Sequence, residues 1–291
     1  MNFSSRDSSE RIPSGKIPYT LQNDLMFHKV MHHSEKALTS LVSAVKGIPM
    51  ETVRSVKLLN PVDYNVFDSK ELILDVLVEL NNLELLDIEL QIYTDTDWIM
   101  RSLLYLGRTF DSIGFGDAYN LLKPTTLVCI MGYTLFPDTA EFYACYELRN
   151  KRNGLPYTSN FQLNVLDLTQ VGLATQDDIS HGLKDWADLF NAETWEELYT
   201  LTRKNDVFKE VYEIMRALNT IPQEKTLFEA RRRWLEVHNS VISNLEKAQA
   251  ERDAANTERD AALSSLHAEQ QKVAELESRI RELTAAAGSG N

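Results

Sequence analysis

Two carboxylates and one amide stand in strongly apolar surroundings in the first third of the chain. Asp75 lies in Ile73-Leu74-Asp75-Val76-Leu77, and Glu89 and Gln91 lie in Asp87-Ile88-Glu89-Leu90-Gln91-Ile92. A carboxylate among such neighbours is costly unless it is paired, hydrogen-bonded or bound to a cation. Two strand carboxylates plus a backbone carbonyl such as that of Leu90 make an oxygen set suited to Mg²⁺ or Mn²⁺. An ion held there polarises a phosphoryl oxygen and lowers the pKa of a bound water for in-line attack. Gln91 shares a strand face with Glu89, and its amide could orient that water or a phosphate oxygen. Being neutral, it cannot serve as a charged electrophile. The same acids have a plainer reading. Acidic residues alternating along a strand more commonly form a solvated face, and Asp87 and Glu79 read that way.

The chemistry depends on how the carboxylates are brought together. Three segments read as strands: Ser55 to Tyr64, Leu72 to Leu80, and Leu83 to Thr94. Asn81-Asn82 is a turn signal between the second and third, which makes them an antiparallel hairpin. A three-residue turn, Asn81 to Leu83, pairs Leu80 with Glu84 and therefore Asp75 with Glu89. A two-residue turn would put the two acids on opposite faces. The metal-site reading thus demands an odd-length turn or a bulge.

Around this hairpin the pattern is that of an α/β protein. Residues 1–17 are rich in Ser and charge with no apolar core, and read as a disordered leader rather than a signal peptide. Thr20 and Asn23 are candidate helix caps. Leu25, Phe27, Val30, Met31, Ala37, Leu38, Leu41 and Val42 predict one or two amphipathic helices, which Gly47-Ile48-Pro49 ends. After the hairpin a helix is expected from Asp97 to Phe115. Strands follow over Thr125 to Phe136, Glu141 to Arg149 and Phe161 to Leu168. The order is α-β-β-β-α-β with extra strands, built on a mixed sheet over residues 18–170. Residues 171–239 turn helical and Trp-bearing, as a subdomain packed on the sheet. Arg231-Arg232-Arg233 in that stretch reads as a solvated helix face ahead of a phosphate contact.

Residues 240–284 carry a heptad register. Leu245, Arg252, Arg259, Leu266, Val273 and Ile280 fall at position a, and Ala248, Ala255, Ala262, Glu269, Leu276 and Leu283 at position d. The pattern predicts a weak coiled coil that zips with a second copy, against a solvated single helix as the alternative. Residues 285–291 read as a flexible end.

Composition sets bounds on function. The net charge is −13, of which the stretch from Ser240 onward, with six basic and nine acidic residues, holds −3. The remaining −10 belongs to the globular part, which disfavours strong non-specific affinity for polyphosphates. Cys129 and Cys145 lack CxxC spacing or a Cys/His cluster, so zinc is not indicated. Both sit in apolar strand segments and read as buried thiols of a reducing cytoplasm. No apolar run reaches the ~20 residues of a membrane helix.

Several separate segments resemble the PD-(D/E)XK nuclease superfamily, in its Rpn-like, transposase-associated branch of recombination-promoting nucleases. Asn23-Asp24-Leu25-Met26-Phe27-His28-Lys29 resembles that family's opening helix, and Val56 to Pro61 the strand leading to its active site. Ile73-Leu74-Asp75-Val76 matches the strand with the metal-binding Asp. Ile88-Glu89-Leu90-Gln91 matches (D/E)XK with Gln in the Lys position. Arg101-Ser102-Leu103-Leu104-Tyr105, Gly116-Asp117-Ala118-Tyr119, Leu122-Lys123-Pro124 and Leu135-Phe136-Pro137 continue the series. The order and spacing of these pieces carry the resemblance, which spans Thr20 to Leu168.

The resemblance implies a restriction-endonuclease-like core that cuts DNA with Mg²⁺ or Mn²⁺, in recombination, transposition or defence. Asp75 and Glu89 become metal ligands, with the Leu90 carbonyl beside them, and Gln91 the active-site polar residue. Arg101, one helical turn from Tyr105, could meet a phosphate, fix Glu89 or form a structural ion pair. Asp24 could line the site or simply be a helix-start carboxylate. Two rival functions are an assembly protein on a nuclease fold, working through its coiled coil, and a phosphodiesterase acting on RNA.

Overall fold

The computed structural model describes residues 13–59, 76–114 and 116–288. Asp75, Asn60-Pro61, Ile73-Leu74, Phe115 and most of the leader therefore lie outside the described residues.

The chain opens with two helices, α1 (Asp24–His33) and α2 (Glu35–Lys46). Asn23 caps the first through its side chain, which accepts from the Met26 amide at 3.0 Å, while Ser34 caps the second at Ala37. Short polar side chains before an apolar-periodic run satisfy amides that have no partner within the helix. Gly47 closes α2 in a left-handed conformation. Three strands follow: β1 (Val56–Leu58), β2 (Val76–Leu80) and β3 (Glu84–Gln91). Helix α3 (Trp98–Phe110) then leads to β4 (Thr125–Met131), β5 (Tyr143–Arg149) and β6 (Pro156–Asp167).

These strands form one mixed sheet in the order β1-β2-β3-β4-β6-β5. The pairs β1/β2, β2/β3 and β5/β6 are antiparallel, whereas β3/β4 and β4/β6 are parallel. The expected α/β architecture on a mixed sheet is present. Several boundaries differ from the sequence reading: α3 ends at Phe110, β3 at Gln91 and β4 at Met131, each short of the expected end, and β6 starts five residues early, at Pro156. The latter segment has no apolar alternation, so only its pairing with β5 makes it a strand.

Helices α4 (Gln176–Ser180), α5 (Leu183–Asn191), α6 (Trp195–Leu201) and α7 (Asp206–Thr220) complete the fold. Trp186 and Phe190 of α5, Leu198 of α6 and Phe208 of α7 share one buried core with α1, α2 and the sheet residues Val78, Ile88, Val128 and Leu166. The opposite face of the sheet is covered by α3, where Trp98 and Leu106 meet Leu127, Cys129 and Met131. The helices after the sheet thus belong to the same compact unit as the strands, which ends at Arg232.

Helix α8 (Pro222–Gly288) starts in that unit, where Phe228 is fully buried and its ring lies 5.0 Å from Tyr19. The second unit runs from Arg233 onward. Within it Leu245, Leu266, Val273, Leu276 and Ile280 are all exposed. Among the described residues no helix is long and apolar enough to cross a membrane.

One cysteine departs from the sequence reading. Cys129 is buried on the central strand β4, but Cys145, on the edge strand β5, is exposed.

Candidate active site

The β2–β3 hairpin is fixed by its turn. Asn81 and Asn82 both adopt left-handed φ, 53° and 57°, a region asparagine enters more readily than other residues bearing a Cβ. The Leu83 amide donates to the Leu80 carbonyl at 2.9 Å. The ladder then pairs Leu80 with Glu84, Val78 with Leu86 and Val76 with Ile88. The turn is three residues long, so the odd length required by the metal-site reading is met.

Asn81 also fastens the turn to the segment before β1, its Oδ1 accepting from the Arg54 and Ser55 amides at 2.7 and 3.1 Å. Asn81→Ala loses both bonds and keeps the unfavourable φ, so it is expected to lower stability by about 1–3 kcal/mol in urea unfolding. Asn82→Gly, at the exposed tip, is expected to stay within about 1 kcal/mol of wild type in the same measurement.

Alternation along β3 turns Leu86 and Ile88 into the core under α1 and α2, and Leu85, Asp87, Glu89 and Gln91 toward α3. The side is settled by Thr109 of α3, whose hydroxyl donates to Asp87 Oδ2 at 2.8 Å. Asp87 is only 4% exposed, and Glu79, on the same face of β2, is ion-paired with Lys123. Neither is the solvated acid that alternation alone predicts, because α3 and the segment entering β4 cover this side.

Strand β4 runs alongside as an apolar floor, with Leu127 beside Asp87, Cys129 beside Glu89 and Met131 beside Gln91. Burial pushes the Cys129 thiol pKa well up, and the charges of Glu89 and Asp87 push it further. Asp87 and Glu89 thus face the same way beside an apolar strand. The backbone adds an oxygen. The Leu85 amide donates to Pro124 and the Gln91 carbonyl accepts from Gly132, so odd-numbered residues of β3 spend their backbone groups on β4. Leu90, being even, turns its carbonyl to the β2 side.

Gln91 donates from Nε2 to the Tyr93 carbonyl at 2.8 Å, which holds the amide in place. Arg101 of α3 pairs with Asp95, donates to the Tyr105 hydroxyl at 2.9 Å and sits 5.5 Å from the Trp98 ring centroid. Burial works against its charge, but Tyr105 and Asp95 outweigh that and raise its pKa. Of its sequence readings, the structural ion pair is present, with Asp95 as the partner. Asp24 lies in the first turn of α1, on the helical layer opposite α3. Its Oδ2 accepts from Arg231 Nε and Nη2 at 2.8 and 2.7 Å. Arg231 is thus an ion-pair partner rather than part of a solvated face.

A family model described as PD-(D/E)XK nuclease family transposase matches residues 21–259. The chain belongs to that family. The match runs from Leu21 through the rest of the first unit and into α8, and family membership points to a nuclease-type function. No curated protein and no solved structure gives a significant match.

Within this PD-(D/E)XK scaffold the structure gathers Glu89, Gln91 and the Leu90 carbonyl at one end of β3, with Asp87 beside them and Arg101 and Tyr105 on the helix over the same face. Among the described residues no group of three His, Cys, Asp or Glu side chains is arranged to hold a metal ion. The donors present, a carboxylate and a carbonyl, are hard oxygens of the kind Mg²⁺ and Mn²⁺ take.

Sequence reasoning missed Thr109, Asp95 and Gly132. The first two act across α3 and gave no local signal. Gly132 follows an apolar strand, which is a readable sign of close backbone approach. A Cβ there would lie 2.7 Å from the Ile92 carbonyl oxygen and 2.9 Å from its Cα. Gly132→Ala is therefore expected to push the end of β3 outward, lowering stability by about 1–3 kcal/mol. Its loss of cleavage activity should exceed what the unfolded fraction explains, when both are measured on one preparation.

Proposed function

We propose that the protein is a Mg²⁺- or Mn²⁺-dependent endonuclease that hydrolyses DNA phosphodiester bonds in recombination, transposition or defence. The observation that carries this reading is the hairpin register. The described ladder closes on Val76 opposite Ile88; the same register carried one residue further would set Asp75, outside the described residues, opposite Glu89. Those two carboxylates and the Leu90 carbonyl would hold the ion. When bound, such an ion would supply Lewis-acid polarisation of a phosphoryl oxygen and a lowered pKa for water at the site.

The chain's own residues do the rest. Glu89 brings negative charge to the α3 face, where α3 and the β4 floor limit the water around it. Gln91, anchored through one N–H to Tyr93, keeps its amide oxygen and second N–H for the attacking water or a phosphate oxygen. It replaces the lysine that such a site otherwise uses, so no fixed positive charge stands there. Arg101, paired with Asp95, and Tyr105 brace α3 over the same face.

The long helix α8 supports a homo-oligomer, with a coiled coil between copies. Its heptad positions Leu245, Leu266, Val273, Leu276 and Ile280 are exposed, and burying them against a second copy relieves that exposure. A dimer brings two sites to one duplex, as a double-strand cut needs. A cytoplasmic setting agrees with the free thiols. The net charge of −13 favours a second reading, an assembly protein on a nuclease fold that works through α8 alone.

Cleavage of supercoiled plasmid by the full chain, with Mg²⁺, with Mn²⁺ and with chelator, tests the first reading. Nicked or linear product with either metal and none with chelator is expected. Absence of cutting together with absence of Mg²⁺ and Mn²⁺ binding moves the assignment to the second.

A further inference from the structure

The β5–β6 hairpin continues past the sheet that carries the candidate site. Strand β6 first meets β4 at Phe161, opposite Thr125, yet it begins at Pro156. Residues 156–160 thus pair with β5 alone, a reach of up to about 16 Å at ~3.3 Å per residue. Pairing there is irregular: Leu148 faces Thr158 and Arg149 faces Pro156, with register shifts on both sides of Leu148. Such shifts bend and twist a two-stranded ribbon and re-aim its side chains.

The tip is held by its own hydrogen bonds. The Asn150 amide donates to Leu155 O and the Gly154 amide to Asn150 O, each at 2.8 Å. The Asn150 and Asn153 side chains accept from the Arg152 and Leu155 amides at 2.9 and 3.1 Å. Arg149 ties the two strands, reaching the Gly154 carbonyl at 2.8 Å and pairing with Glu147. The loop is preorganised and leaves Lys151 and Arg152 pointing into solvent. Neither makes an ion pair among the described residues, whereas Lys46, Arg101, Lys123, Lys184, Lys204 and Arg231 all do.

The charge is as unusual as the shape. Between Glu147 and Asp167 the chain has Arg149, Lys151 and Arg152 and no acidic residue, in a protein of net charge −13. Residues 148–157 are exposed throughout, with Tyr157 86% exposed. An acidic protein that handles a polyphosphate needs a local basic element set away from its own negative field.

We propose that the β5–β6 ribbon is a DNA arm that seats in the major groove of duplex DNA, with Lys151 and Arg152 on phosphates. The inference rests on the DNA reading above and adds where the protein grips its substrate. The major groove of B-DNA, ~12 Å wide, admits a two-stranded ribbon. The deep, narrow major groove of duplex RNA does not. The ribbon leaves the sheet at the Thr125 end of β4, while Glu89 and Gln91 lie toward the Met131 end. Arm residues therefore contribute affinity and not chemistry.

The test is fluorescence anisotropy of a labelled DNA duplex several helical turns long, titrated with full chain in chelator over a range of salt. Lys151→Gln/Arg152→Gln is expected to bind roughly tenfold or more weakly at ~0.1 M salt. Its slope of log K against log salt should be shallower by about 2, near 0.9 for each phosphate that is no longer neutralised. The cleavage rate at saturating DNA should not change. Lys36→Gln/Lys209→Gln, exposed on α2 and α7, alters net charge equally and is expected to change neither quantity. Equal affinity and slope for wild type and the arm variant overturn the arm and leave the nuclease reading standing. Equal losses in both double variants also overturn it, as an effect of net charge alone. A weakened self-association of the arm variant with unchanged DNA affinity would reassign the ribbon to contact between copies. Wild type that binds no duplex DNA removes the DNA reading and the arm together.

Discussion

Glu89→Ala is expected to abolish metal-dependent plasmid cleavage, a loss on the order of 10³-fold or more, while the chain stays folded. Removing a single preorganised electrostatic element from an active site costs about 10²–10³ in rate, and this substitution also removes an ion ligand. The fold should survive because Glu89 is half-buried, at the end of β3, with Ile88 and Leu86 securing the strand from the other face. Asp75→Ala should behave alike. Gln91→Ala should slow cutting without erasing it, since it positions rather than binds the ion. Circular dichroism of each variant and a plasmid time course with Mg²⁺ separate these outcomes. Full activity in Glu89→Ala would dismantle the site assignment, whatever the family.

The largest effect on stability is expected from a residue far from the site in sequence. Trp186→Ala should cost about 3–5 kcal/mol, the range for truncating a large buried aromatic. The indole is 1% exposed, lies 5.2 Å from the Phe208 ring, and donates from Nε1 to Ser40 Oγ of α2 at 3.2 Å. The substitution opens a cavity and strands a buried hydroxyl. Because Trp186 shares its core with Val78 and Ile88 of the hairpin, that loss is not confined to the helices. Urea unfolding followed by circular dichroism, and residual cleavage at each urea concentration, should fall together in wild type and shift together in the variant. Activity that outlasts the helical transition would show that α5–α7 fold apart from the nuclease sheet.

Local chemistry determined much of this molecule. Asn23 before an apolar-periodic run specifies the start of α1, and Gly47 stops α2. The pair Asn81-Asn82 takes left-handed φ, and Lys123-Pro124 opens β4. Each is a decision between a side chain and its nearest backbone, so sequence suffices. The alternation of Asp87, Glu89 and Gln91 likewise placed them on one face, and arithmetic of the turn stated the condition under which Asp75 joins them.

What covers that face was a different matter. Alternation says which residues look the same way but not what they meet, and that is decided by docking of elements distant in the chain. Asp87 reads as a surface acid until α3 brings Thr109 over it, and Glu79 until Lys123 arrives 44 residues later. Arg101 finds Asp95 across the start of α3, and Arg231 finds Asp24 across 207 residues. Cys145 reads as buried from its apolar strand, yet it is exposed while its neighbour Ala144 is buried, because burial depends on what covers each face. Residues 156–160, polar and without period, become strand only by pairing with β5. By itself the sequence determined where most strands lie, the turn and the alternation of faces, but not every strand's ends. The tertiary structure decided which charges on those faces are neutralised and which remain exposed, because a charge's worth depends on its dielectric and partners, and both are set by packing.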